Sequence, residues 1–198
     1  FKGWDHTRIT LDNGELVDGI APLIISASRS TDIPPFYGKQ FLERIRRGYV
    51  CRVNPFNGVK QYVSFEKTRL IVFWSKNPEP LIPFLPQLDD LNIHYLFQFT
   101  LNDYESEQLE PKLPSLARRI ETFKKLSNLI GRERVLWRFD PMILSEKINV
   151  HNLLEKIGNV GNCIYPYTSR LTISFLSLYP KVVKNLKRAQ FASIDPDE

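Results

Sequence analysis

The stretch RLIVFWSKNP (69–78) decides the fold class. Its five consecutive apolar residues, 70–74, are typical of a β-strand that is covered on both faces, as strands of a parallel sheet are. The apolar run is followed by Ser75, Lys76 and Asn77. Because burying a lone ammonium group is costly, a lysine at this position needs an explanation. The segment therefore predicts a buried parallel strand that ends in polar groups with a role of their own.

Similar extended runs recur along the chain and alternate with helical patterns. The predicted strands cover residues 23–28, 49–54, 70–76, 95–100, 134–140 and 170–176. The clearest helical spacing of apolar residues lies at 115–130, and Gly48 stands where a glycine that ends a helix belongs. This alternation predicts a parallel sheet covered by helices, which is either a doubly wound sheet or a (β/α) barrel. Before the first of these strands, Asp12-Asn13-Gly14 is a strong turn signal and predicts a β-hairpin within residues 1–20.

The polar residues of the predicted strands favour the barrel. In each strand they share one face and lie towards the C-terminal end, because alternate side chains point to opposite faces. The pairs are Ser26/Ser28, Arg52/Asn54, Trp74/Lys76, Gln98/Thr100, Arg138/Asp140 and Thr172/Ser174. A barrel builds its active site at the C-terminal ends of its strands, whereas a doubly wound sheet gathers polar ends at one switch point. We therefore expect one α/β domain over 1–198, a TIM-barrel-like partial barrel of about six parallel strands with an N-terminal hairpin.

Three of the strand-end residues are predicted to be catalytic: Lys76, Arg138 and Asp140. Asp140 is the expected counter-charge of Lys76, since it is the only carboxylate among the strand-end pairs. An internal ion pair of Asp140 with Lys76 or Arg138 that merely fills the barrel is the alternative. The predicted ligand-binding residues are Ser26, Ser28, Arg29, Asp32, Arg52, Asn54, Asn77, Gln98 and Thr100.

Helix capping is the alternative role for several of these residues. Asn54, Asn77 and Asp140 each precede a proline, as an N-cap before a first-turn proline does, and Asp32 stands close to Pro34. Capping does not explain the strand-end cations, because a cation at a helix N-terminus opposes the helix dipole.

The composition narrows the class of partner. The net charge of +5 suits an anionic ligand, but the basic residues lie mostly in mixed-charge helices, so nucleic acid is not favoured. The two cysteines are too few for a disulfide framework, which favours a cytoplasmic protein. Cys51 shares the apolar face of its strand and is predicted to be buried. The three histidines are scattered along the sequence and predict no metal site. No apolar run is long enough to span a membrane. The sequence favours no particular oligomeric state.

Taken together, the strand ends resemble the domain of unknown function 1848 family of bacteria and archaea. The resemblance rests on SASRSTDIP (26–34), FWSKNP (73–78), QFT (98–100) and WRFDP (137–141), and it extends over about residues 4–179. It implies a barrel related to radical S-adenosylmethionine enzymes, with a C-terminal cysteine cluster that binds [4Fe–4S]. This chain departs from that pattern because neither of its cysteines stands in a cluster motif. We therefore expect a missing C-terminal segment and no cofactor in this chain alone, with [4Fe–4S] and S-adenosylmethionine expected in the full-length protein.

The leading hypothesis is the barrel portion of a radical S-adenosylmethionine-like enzyme of unknown substrate. Its polar, cationic pocket at the strand ends would bind a small anionic ligand, and this chain by itself would be inactive. One alternative is a cofactor-free barrel enzyme that acts on an anionic metabolite, with Lys76 as base or Schiff-base nucleophile. The other is a non-catalytic module that binds a nucleotide or nucleic acid.

Overall fold

The computed structural model describes residues 3–28, 31–54, 56–145, 147–188 and 193–194. It is a mixed α/β protein. The strands are β1 (Asp5–Thr10), β2 (Leu16–Ala21), β3 (Ile24–Ala27), β4 (Tyr49–Val53), β5 (Lys60–Ser64), β6 (Leu70–Ser75), β7 (His94–Thr100), β8 (Val135–Met142), β9 (Leu144–Ser145), β10 (Leu171–Phe175) and β11 (Ser193–Ile194). The α-helices are α1 (Ile33–Arg47), α2 (Pro86–Asp90), α3 (Leu116–Ile130), α4 (Val150–Ile164) and α5 (Pro180–Arg188).

Five of the six predicted strands form a parallel sheet in the order β10-β8-β7-β6-β3. The predicted α/β class with a parallel, helix-covered sheet is therefore confirmed. The sheet has five strands rather than six, because the run at 49–54 is not part of it. That run is β4, which pairs antiparallel with β5.

A second sheet of four strands has the order β1-β2-β5-β4. β1 and β2 pair antiparallel around a turn in which Gly14 has a φ of 84°. β4 and β5 form another hairpin, so β4 finds its partner only a few residues away instead of in the parallel sheet. The predicted burial of Cys51 is wrong, because β4 lies in this second sheet and not in the parallel one. β4 is an edge strand, and Cys51 is exposed.

The chain divides into two compact units, Phe1–Trp74 with Pro80–Leu96 and Ser75–Glu79 with Phe97–Glu198. In the first unit, α1 packs Phe41 against Phe65 and Phe73, with ring centroids 6.2 and 5.8 Å apart. The helix ends at Gly48, whose φ of 90° suits glycine, as the sequence pattern predicts.

In the second unit, helices α3 and α4 cover one face of the strands. Phe99 of β7 meets Phe123 of α3 with ring centroids 5.1 Å apart, and both side chains are fully buried. Gly161 of α4 lies against Trp137 of β8, where a Cβ would stand 3.5 Å from the indole ring. Because this face is filled with aromatic rings, the polar residues of the same strands are left on the other face.

Candidate functional site

Polar side chains form a row across three strands of the second unit. Thr100 of β7, Arg138 of β8 and Thr172 of β10 stand in register with one another and so share a face of the sheet. All three are half-buried, whereas Phe99 and Trp137 in the neighbouring row are buried. The face that α3 and α4 cover thus makes the core, and the polar row lies on the opposite face of the strands.

Asp140 is held by two side chains of this face. Arg138 donates from Nη2 to Oδ2 of Asp140, and the hydroxyl of Ser174 donates to Oδ1. Burial raises the pKa of Asp140, but the hydrogen bonds from Ser174 and Arg138 and the charges of Arg138 and Lys76 outweigh it, so the pKa is below the ordinary value of 3.8. Asp140 is therefore an ionised carboxylate with both oxygens engaged.

The segment after β7 fixes the backbone around Asp140. Asn102 is fully buried, donates from Nδ2 to the Asp140 carbonyl (3.1 Å) and accepts at Oδ1 from the Asp140 N–H (3.0 Å). Tyr104 donates to the carbonyl of Pro141 (2.9 Å) and accepts from the N–H of Ile143 (3.0 Å). Burial raises the pKa of the Tyr104 phenol, so it stays a neutral donor. Asp140 does not cap a helix, since β8 continues to Met142.

The sequence predicts Asp140 as the counter-charge of Lys76. In the structure, Lys76 pairs with Glu110 instead. Its Nζ contacts Oε1 of Glu110, which lies on the loop between β7 and α3. Lys76 nevertheless lies close enough to Asp140 for its charge to lower the pKa of that carboxyl. We call Lys76, Asn102, Glu110, Arg138, Asp140 and Ser174 the end cluster.

A small cavity of about 250 Å³ adjoins the end cluster within the second unit. Lys76, Asn102 and Glu110 form its polar wall, and Val182 and Leu186 of α5 belong to its apolar wall. The charged side chains are partly accessible, with 34% of Lys76 and 21% of Glu110 exposed. A ligand in this cavity would therefore reach the Lys76–Glu110 pair without opening the core.

Several predicted site residues lie in the first unit. Ser26 is on β3, and Ser28, with a φ of 77°, accepts at Oγ from the Ile33 N–H (3.0 Å) at the start of α1. Asp32 precedes that helix but makes no capping hydrogen bond with its side chain, because Ser28 supplies the oxygen. Arg29 lies outside the described residues.

Arg52 and Asn54 belong to the hairpin of β4 and β5 and not to a strand end of the parallel sheet. Arg52 is exposed, and Asn54 accepts at Oδ1 from the Phe56 N–H (2.9 Å), which closes the turn. The prediction that they stand at a strand end of the parallel sheet is wrong, because β4 pairs within the four-stranded sheet.

The remaining predicted residues lie in the second unit. Asn77 donates its backbone N–H to Ser75 Oγ (3.1 Å), so the turn after β6 is closed by a serine. Gln98 shares the face of Thr100, and its Oε1 is buried without a hydrogen-bond partner among the described residues. Such an acceptor would suit a ligand that carries a hydrogen-bond donor.

The sequence misses Asn102, Tyr104 and Glu110. All three lie in LNDYESEQLEP (101–111), a polar segment whose composition is typical of a surface loop. Asn102 and Tyr104 are buried in the structure, where their side chains donate hydrogen bonds to the backbone carbonyls of Asp140 and Pro141. The segment also contains Asp103, Glu105 and Glu107, so nothing in the sequence distinguishes Glu110 as the partner of Lys76.

Neither cysteine takes part in the end cluster. Cys51 is exposed on β4 of the first unit, and Cys163 is exposed on α4 of the second. Within the described ranges, no group of three or more His, Cys, Asp or Glu side chains could hold a metal ion. No α-helix in those ranges is long and apolar enough to cross a membrane.

Fold and site define an α/β protein with charged pairs at the carboxyl ends of parallel strands, a class that includes many enzymes. The chain belongs to the family described as Domain of unknown function (DUF1848), whose sequence model matches residues 24–198. No curated protein and no solved structure matches the chain significantly.

Proposed function

We propose that the end cluster binds a small polar substrate and that this chain is the (β/α) part of an enzyme. The supporting observation is that two ion pairs, Lys76–Glu110 and Arg138–Asp140, occur where strands of the parallel sheet end. Ligands of parallel α/β proteins bind outside the carboxyl ends of the strands. The charge of Lys76 lowers the pKa of Asp140, so the two pairs influence each other.

The two carboxylates differ in how firmly they are held, and this indicates where a ligand binds. Asp140 is fixed through Ser174, Arg138 and the double hydrogen bond of its backbone with Asn102. Glu110 comes from a loop between β7 and α3. An anionic group of the substrate would therefore replace Glu110 at Lys76 and leave the Arg138–Asp140 pair in place.

A partial (β/α) barrel is the architecture that we propose for the parallel sheet. In the second unit, Gln98, Thr100 and Arg138 are half-buried, whereas the opposite face is closed by α3 and α4. Polar residues on one face and covering helices on the other are what barrel strands require.

The thiols of this chain do not fit the [4Fe–4S] cluster that the family resemblance implies. Such a cluster is held by several cysteine thiolates. The sequence has two cysteines, and they lie on different units. The relation to radical enzymes stays a proposal, which iron and sulfide analysis of the complete gene product would test.

Substitution of Lys76 tests the substrate site. We expect Lys76→Met to weaken binding of an anionic probe, inorganic phosphate or citrate in calorimetric titration, by about tenfold or more, because a charge-assisted hydrogen bond is lost. Lys156→Met is the matched control, since Lys156 pairs with Glu107 elsewhere in the second unit at 3.2 Å. Equal probe affinity in wild type and Lys76→Met, with both proteins folded, would remove Lys76 from the site.

A cofactor-free enzyme with Lys76 as nucleophile is the second candidate. The contact with Glu110 supports it, because a carboxylate beside the ammonium could accept its proton when a carbonyl substrate binds. Borohydride trapping with pyruvate as the carbonyl probe would give a stable adduct on Lys76 by peptide mass analysis. Absence of the adduct in the wild type, under conditions where pyruvate binds, excludes the Schiff base.

A further inference from the structure

Arg119 is a buried cation that the end cluster does not use. It lies in the first turn of α3, and only 3% of it is exposed. Its Nε donates to the carbonyl of Pro114 (3.0 Å), but its Nη1 is buried without a hydrogen-bond partner in the described part of the chain. Because a cation in the first turn also opposes the helix dipole, this arrangement is unfavourable unless something else accepts from Nη1.

Arg119 is one of the residues that line a cavity of about 300 Å³ in the second unit. That volume lies at the lower end of the range of small-molecule sites. One part of the wall is apolar, formed by Pro111, Leu113 and Pro114, and Glu105 and Glu110 supply carboxylates to another part. The cavity thus has a donor, acceptors and an apolar surface.

The charges of the wall restrict the class of ligand. Burial lowers the pKa of Arg119, whereas Glu105 and Asp103 raise it. Glu105 already accepts from the N–H of Leu116 (2.9 Å), and Glu110 contacts Lys76. A phosphate would bring its charge against two carboxylates, which is unfavourable. A neutral, dipolar ligand can give an acceptor to Arg119 and a donor to the carboxylates at the same time.

We propose that the Arg119 cavity binds an α-amino acid with an apolar side chain. Its carboxylate accepts from Nη1 of Arg119, its ammonium group faces Glu105 and Glu110, and its side chain contacts Leu113 and the prolines. The site is next to the end cluster and shares Glu110 with it, but it is defined by Arg119 and does not depend on the proposed function.

A matched series of probes tests each part of this assignment on the wild-type chain. The probes are L-leucine, 4-methylpentanoate, which lacks the ammonium group, and 3-methylbutylamine, which lacks the carboxylate. We expect L-leucine to bind about tenfold tighter than either analogue, since each analogue loses a charge-assisted hydrogen bond. In protein labelled with ¹⁵N-arginine, L-leucine and 4-methylpentanoate should shift the Arg119 Nε–H resonance.

Two results would overturn the assignment. If no probe shifts the Arg119 resonance, ordered water alone accepts from Nη1. If the amine binds as tightly as L-leucine, the carboxylate is not recognised. Both results come from the wild type and so do not depend on the folding of a variant.

Arg119→Lys and Arg118→Lys form a matched pair of variants. Arg119→Lys should lose about tenfold in L-leucine affinity, because lysine cannot reproduce the planar fork of donors. Arg118 is the neighbouring residue, with 66% of its side chain exposed and an ion pair to Glu79, and its replacement should leave the affinity unchanged. Equal losses in the two variants would contradict a specific contact with Arg119.

Discussion

Replacement of Asn102 by alanine should strongly destabilise the second unit. Asn102 is fully buried, and its amide exchanges two hydrogen bonds with the backbone of Asp140, at 3.0 and 3.1 Å. Alanine removes both bonds and leaves the N–H and the C=O of Asp140 without these partners. Each lost bond is worth roughly 1 kcal/mol, and each unpaired buried group costs about 1–3 kcal/mol unless water replaces the amide. We therefore expect a loss of about 2–4 kcal/mol in the free energy of unfolding.

Urea denaturation followed by circular dichroism measures this loss. The midpoint should fall in Asn102→Ala, with an unchanged slope if the native and unfolded states remain equally compact. Asn159→Ala is the control, because Asn159 is exposed on α4 and alanine favours a helix. Its unfolding free energy should stay within about 0.5 kcal/mol of wild type.

The size of the effect decides the role of Asn102. A loss below about 1 kcal/mol would mean that the double hydrogen bond contributes no more than one ordinary bond. Asn102 would then not be the residue that fixes the backbone of Asp140. A loss in the expected range, combined with weaker phosphate or citrate binding, would connect this buried amide to the end cluster.

The structure also makes predictions about Asp140 and Gly19. Because the folded pKa of Asp140 is lowered, its charge stabilises the fold above the unfolded value of about 3.9, and this contribution is lost as the pH falls through the folded pKa. The difference in unfolding free energy between wild type and Asp140→Asn should therefore shrink below about pH 4, and a constant difference down to pH 2 would contradict the lowered pKa. In Ser174→Ala the pKa of Asp140 should rise, as measured by the ¹³C shift of its carboxyl group, since the hydroxyl no longer donates to it. Gly19→Ala should lower the unfolding free energy by about 1–3 kcal/mol, because the new Cβ would meet Ile9 and stand 3.0 Å from the Tyr62 carbonyl oxygen, whereas Gly3→Ala, with no neighbour within 4 Å, should change little.

Local patterns were sufficient to predict most elements of the chain. The apolar run before Ser75 predicts β6, the spacing of Ile120, Phe123 and Leu126 predicts α3, and Gly48 predicts the end of α1. These signals succeed because strand pleat, helical period and glycine conformation depend on near neighbours in sequence.

Pairing of the strands could not be predicted as well. The run at 49–54 has the composition of a sheet strand, and nothing in it distinguishes a parallel partner from the antiparallel hairpin with β5. The wrong pairing put Arg52 and Asn54 in the predicted site and Cys51 in the predicted core, whereas Cys51 is exposed in the structure. A strand's partner depends on which edge is available in three dimensions, and sequence period alone does not contain that information.

The sequence by itself determined that this protein has parallel, helix-covered strands with polar ends, because a buried parallel strand must be apolar along its length, whereas its carboxyl end reaches the edge of the sheet, where side chains can carry charge. Only the tertiary structure decided how those charges pair. Lys76 meets Glu110, and Arg138 meets Asp140, because loop residues with no periodic signal are brought to the strand ends by buried hydrogen bonds of Asn102 and Tyr104. Ion pairs between distant residues depend on chain folding rather than on local composition, and so the partners of the predicted cations emerge only in three dimensions.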